Sequence, residues 1–210
     1  MTGQLIGVNP AAIQEYAGSV SDNLGMVANE LTEVVQGGFS LRYTGPDANE
    51  KFNPGLAKVM GNLVTGATET MVAYIAAINT VTSNIARSLG VHGGLEIDFQ
   101  PKVPELPPLP GQTGATVQID VDQFNTYINV TLPAHEKRLV DLINDNTRLI
   151  QVVRPAENDG WSGSARDHVQ GTVVPQQVEA LMQVVRESVV NVNNFMTEAV
   201  ERATQADSVA

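Results

Sequence analysis

"YTGPDANEKF" (Tyr43–Phe52) and "WSGSARDHV" (Trp161–Val169) decide how this chain is read. In each, a large aromatic ring stands two residues before a glycine, and long segments of apolar periodicity lie on both sides. A chain that must reverse between two helices needs such a corner. Glycine lets the backbone pass close to a neighbour or take a positive φ without a Cβ clash. The ring covers the open end of the helix pair and buries up to ~200 Å². Pro46 or Ser164 then opens the returning helix, whose first N–H groups lack internal partners. Each half is therefore expected to fold back on itself here.

The flanking segments carry the helical period. Asn9-Pro10 reads as an N-cap with proline in the first helical position. Apolar residues recur at Ile13, Ala17, Val20, Leu24, Val27, Leu31 and Val34, and Gly37-Gly38 is expected to end that helix. A second helix is predicted from about Pro46 to Leu89, with Phe52, Leu56, Val59, Leu63, Ala67, Met71, Tyr74, Ile78, Val81 and Ile85 on one stripe. Asn53-Pro54-Gly55 should kink or loosen its first turns. Asp120 or Asp122 caps a third, whose stripe passes through Phe124, Ile128, Leu132, Leu139, Leu142, Leu149 and Val153. The fourth starts near Gly163, with Ser164 and Asp167 spaced as a capping-box variant, and continues to Met196. The expectation is all-α: two tandem antiparallel helical hairpins packing as a four-helix bundle or coiled coil.

The halves overlay. Placing Tyr43 on Trp161 sets an offset of 118 residues, and Met60, Leu63, Ala67, Met71, Tyr74 and Ile78 then fall on Val178, Leu181, Val185, Val189, Val192 and Met196. Asn9 matches Asp120 if the later half has gained about seven residues, two turns that preserve helical phase. The predicted organisation is a first hairpin at 1–90 with its turn at 38–46, a Gly/Pro-rich linker at 91–115, and a second hairpin at 116–210 with its turn at 154–164. Proline cannot continue a helix and favours extended polyproline geometry, so the linker reads as a semi-rigid spacer. A ligand for proline recognition is the functional alternative.

Composition narrows the function classes. The formal charge of −11 over 210 residues disfavours nucleic acid and simple attachment to anionic lipid. With no cysteine, disulfides, thiolate nucleophiles and Cys-based metal sites are excluded. The N-terminus lacks the basic and apolar regions of a Sec signal, so export would need a non-Sec route. Even the most apolar stretch, "MVAYIAAINTV", is too short to span a bilayer.

With the corners and the periodicity in hand, the chain resembles the helical-hairpin proteins of type VII secretion, the early-secreted-antigen-like WXG family. Trp161-Ser162-Gly163 is the literal motif. Tyr43 replaces the tryptophan in the first corner, while Gly45, Pro46, Asp47, Ala48 and Phe52 fit it. The resemblance covers both halves and implies hairpin dimers that form four-helix bundles, so two hairpins in one chain imply a fused dimer. It also implies a type VII-like secreted or cell-surface location, and a secretion ATPase or a toxin-like effector as partner. One element departs. The family's export signal is an aromatic followed four residues later by an acid, past the second helix; Phe195 is followed by Ala199 and Tyr74 by Ile78. Tyr43 and Asp47 have the spacing but lie in the turn.

Catalytic patterns are missing from the sequence. His92, His135 and His168 are scattered, with no HxxxH or HExxH pair, phosphate-cradling loop or nucleophile elbow. The chain is read as non-enzymatic, with no cofactor and no metal. The residues singled out are structural: Tyr43, Gly45, Pro46, Trp161 and Gly163 for the corners, His135 and Asn146 for the seam. His135 is expected as a hydrogen-bonded interfacial histidine. Asn146, where the first half has Ala28, either sets helix register or faces water. Its hairpins would pair within one chain or swap between two. The leading reading is a type VII substrate or carrier acting by helix-mediated protein binding. Alternatives are a cytoplasmic or structural coiled-coil adaptor and, third, a membrane-active effector; the Gln, Asn and Glu on the polar face of the last helix disfavour that one.

Overall fold

The structure, a computed structural model, describes residues 7–88, 90, 97, 99–109, 116–153 and 160–208. It is an all-α bundle whose long helices pack against one another. In chain order these are β1 (Gly7–Val8), α1 (Pro10–Phe39), β2 (Tyr43–Thr44), α2 (Asn53–Ser88), β3 (Gln118–Ile119), α3 (Val121–Thr126), α4 (Leu132–Leu149), β4 (Trp161–Ser162), α5 (Ser164–His168) and α6 (Val174–Ser208). Much of the linker, His92 and the turn residues 154–159 lie outside the described residues.

Three π-helical turns, Ala48–Phe52, Tyr127–Thr131 and Val169–Val173, interrupt otherwise continuous helix. Each is followed by a helical residue and then a proline: Pro54, Pro133 and Pro175. A proline inside a helix offers no N–H, and its ring collides with the carbonyl four residues back. Widening the preceding turn accommodates it. The residue before each proline accordingly donates five residues back, from Asn53 to Ala48, Leu132 to Tyr127 and Val174 to Val169. The loosening expected at Asn53-Pro54-Gly55 thus falls on the turn before it.

α1 ends at Phe39, directly after Gly37-Gly38, as the sequence reading expects. Gly37 also serves close packing, since a Cβ there would meet the Tyr127 ring at 2.9 Å. One helix start differs from that reading. At the fourth helix the N-cap is Gly163, without a side-chain cap bond, and Asp167 donates its backbone N–H to the Gly163 carbonyl. Ser164 and Asp167 therefore do not form the capping box. For the third helix, Asp120 and not Asp122 is the cap.

The chain forms two compact units that cut across the hairpins. One takes residues 1–27, 68–102 and 140–182; the other takes 28–67, 103–139 and 183–210. Both draw helical segments from both halves, because each half's apolar stripes are buried against the other half's. In the first unit Ile13, Val20, Leu24, Met71, Tyr74, Ile143, Ile150 and Leu181 have no exposed surface. In the second, Leu31, Val34, Met60, Leu63, Phe124, Leu132, Leu139, Val185 and Met196 do the same. At ~25 cal/mol per Å² of apolar surface, this burial outweighs what exposed ion pairs contribute. Leu132 and Leu139 of α4 are buried as expected, but further on the buried positions are Ile143, Asn146 and, just past its end, Ile150, while Leu142 and Leu149 are half-buried at the edge. Leu142, Ile143, Leu149 and Ile150 are all aliphatic, so spacing alone does not choose between them.

Candidate functional site

The second unit contains the tyrosine corner. Tyr43 and Thr44 pair antiparallel with Ile119 and Gln118, the residues just ahead of the other half's first helix. Asp120 N donates to Arg42 O (3.1 Å), Arg42 N donates to the Gln123 side chain (2.8 Å), and the Asp120 carboxylate caps α3 by accepting from Gln123 N (3.0 Å). Gly45 then turns the chain at φ 106°, and a Cβ there would lie 2.9 Å from Val117 Cα. Only glycine combines that dihedral with a backbone so near. Pro46 begins the helical path that leads through the first π-turn.

The ring of Tyr43 packs in a cluster with Phe52 (5.1 Å between centroids) and Phe124 (6.4 Å), and Phe195 stacks on Phe52 (5.6 Å). Its hydroxyl donates to Asp47 Oδ2 (2.7 Å), and Lys51 approaches the same carboxylate at 3.1 Å. The hydrogen bond from Tyr43, reinforced by Lys51 against a smaller desolvation cost, holds the Asp47 carboxyl below its ordinary range. Burial, with the acceptor Asp47 beside it, pushes the Tyr43 phenol up to about 12.

The first unit contains the tryptophan corner, built with the same backbone. Trp161 and Ser162 pair antiparallel with Val8 and Gly7. Asn9 N donates to Gly160 O (2.9 Å), the Asn9 side chain accepts from Ala11 N (2.9 Å), and Gly163 turns at φ 110°. Trp161 is fully buried, 6.3 Å from the Tyr16 ring. Its Nε1 finds no hydrogen-bond partner among the described residues. The hydroxyls of Tyr16 and Tyr74 are neighbours, but neither makes a hydrogen bond of ordinary geometry; burial pushes both phenols far up. Arg166 reaches back to the carbonyls of Ile150 (3.3 Å) and Val153 (3.2 Å), supplying donors just past the end of α4.

The two corners thus obey one rule: the strand segment ahead of one half's first helix straps the aromatic-x-Gly corner of the other half. Corner residues match at an offset of 118, straps and caps at 111, and the difference is the seven-residue insertion. The straps were not singled out from sequence. Their signal was small, one aliphatic residue directly before each cap, in Val8-Asn9 and Ile119-Asp120.

The seam residues do not join the corners. Asn146 is fully buried rather than facing water, and donates to Asn23 Oδ1 (2.7 Å) in the first unit. His135 Nδ1 lies 2.6 Å from Glu30 Oε1 in the second unit, with Arg138 at 3.8 Å. Each contact links α1 to α4, one half to the other. His168 is exposed on α5. The second unit also carries a groove of about 390 Å³ lined by Asn62, Ser188, Asn191, Asn194 and Glu198, with Phe195 on its wall. No cluster of three metal-ligating side chains occurs among the described residues, and no described helix is long and apolar enough to cross a membrane.

No family model matches this sequence, and no curated protein or solved structure matches it either.

Proposed function

We propose that this protein is a fused pair of WXG-like hairpins, a substrate or carrier of a type VII-like secretion system that works by presenting helix surfaces to a protein partner, without catalysis. The observation that carries this reading is the reciprocal strapping of the corners. Each hairpin's turn is completed by a strand from the other hairpin. A chain organised this way supplies its own pairing partner, and tethering replaces bimolecular association with a high effective concentration. The buried Asn23–Asn146 contact and the half-buried Glu30–His135 contact support pairing of unlike halves, since their chemistry differs at the two places.

Localisation in the native host tests the reading. The protein is expected in culture filtrate of the wild type and only in cells once the secretion ATPase is deleted. Retention in the cells of both strains would rule out export and leave an intracellular adaptor.

A further inference from the structure

One side chain of α2 reads a stretch of backbone. Asn79, half-buried in the first unit, donates from Nδ2 to the Ile97 carbonyl (3.0 Å), and its Oδ1 accepts from the Ile97 N–H (2.7 Å). A carboxamide is the neutral side chain that carries a donor and an acceptor side by side. It therefore satisfies both backbone groups of one residue, as a neighbouring strand would. Ile97 and Phe99 are half-buried while Gln100 is exposed, the pattern of an extended segment laid with one side on the protein. A plain spacer has no need of such a clamp.

The clamp stands by itself. Residues 97 and 99–109 form no helix or strand, and among these described residues the two bonds to Asn79 are the only hydrogen bonds made. Pro101, Pro104, Pro107 and Pro108 have no N–H to offer. α2 is held separately, through the buried Ile75, Ile78 and Thr82 on either side of Asn79 in sequence. Freeing the segment thus means opening two hydrogen bonds and not unpacking a helix. Local openings of that kind lie well below the free energy of global unfolding.

We infer that Asn79 is the latch of a releasable strap: it holds the linker at Ile97 against α2, and its opening frees Ile97 and Phe99 while the bundle stays folded. Amide hydrogen exchange by NMR and limited chymotrypsin digestion of the full chain test this, since Phe99 gives the protease a site within the strap. In the wild type the Ile97 N–H should exchange about tenfold or more slower than in an unstructured chain, the worth of two net hydrogen bonds, and cleavage after Phe99 should be slow. Asn79→Ala should abolish that protection and speed the cleavage about fivefold or more, at an unchanged melting temperature. Asn79→Asp keeps the volume and the acceptor but sets a carboxylate oxygen against the Ile97 carbonyl, so it should release the strap too. Val72→Ala, at an exposed position of α2, should leave both rates as they are. An unprotected Ile97 N–H in the wild type overturns the inference, as do wild-type rates in either Asn79 variant. So does a lowered melting temperature in both variants with faster exchange throughout α2, which would make the contact part of the bundle and not a latch.

Discussion

The tyrosine and tryptophan corners share a backbone and differ in what fills it. Both have a glycine near φ 110°, an antiparallel strap from the other half, and a capped helix behind the strap. At the first corner the ring carries a hydroxyl, which finds Asp47, and three phenylalanines complete the packing. At the second, a larger ring is fully buried, and its Nε1–H finds no partner among the described residues. The fold therefore demands the glycine, the strap and a large flat ring. Which ring is a local matter of volume and hydrogen bonding.

The largest effects should come from removing the rings. Trp161→Ala is expected to cost ~3–5 kcal/mol in urea unfolding, with Tyr43→Ala costing less because its neighbouring rings can close in. The reverse order would break the comparison. Next come the glycines. Alanine at either should cost about 1–3 kcal/mol for the dihedral alone. Gly45→Ala should cost more than the dihedral, because its Cβ would force Val117 away and weaken the β2–β3 pairing. Hydrogen exchange at the backbone N–H of Asp120 would report that weakening.

Smaller still is the hydroxyl: Tyr43→Phe should lose about 0.5–1.5 kcal/mol, the net value of one hydrogen bond. Titration sharpens the point. The Tyr43 phenol is raised in the folded state, so its contribution is complete below pH 10 and is lost as pH rises towards about 12. Asp47 is lowered, so its contribution holds above its ordinary value of 3.8 and is lost as pH falls through its lower folded value. Tyr43→Phe should flatten both limbs of a stability–pH profile. Trp161→Phe, in the other unit, should leave the Tyr43 and Asp47 contributions in place, and the alkaline loss from Tyr16, Tyr74 and Tyr127 should remain in Tyr43→Phe.

Helix content and the two corners were legible because they rest on local rules: a 3.6-residue period, a glycine that admits positive φ, an N-cap before proline. Gly37-Gly38 marks the end of α1 by the same local rule, but its second use is not local: Tyr127 and Met60, distant in sequence, occupy the space a side chain would take. The π-turns were half legible. Asn53-Pro54-Gly55 reads as a disturbance, while Pro133 and Pro175 sit inside equally periodic stretches that carry no such sign. Asn146 stands out as a polar residue on an apolar stripe, but nothing local identifies Asn23 as its acceptor or Glu30 as the partner of His135. The straps were hidden because two-residue strands leave almost no alternating pattern, and their partners lie across the repeat.

The central claim is that the halves of one chain close each other's corners. The chain has no cysteine, so a cysteine pair reports without interference. Thr44 and Gln118 face one another across β2 and β3, and facing residues of antiparallel strands lie within disulfide reach. Oxidised Thr44→Cys/Gln118→Cys should run as a cross-linked monomer on a non-reducing gel and melt at a higher temperature than its reduced form. A disulfide-linked dimer, or no cross-link at all, would contradict the account.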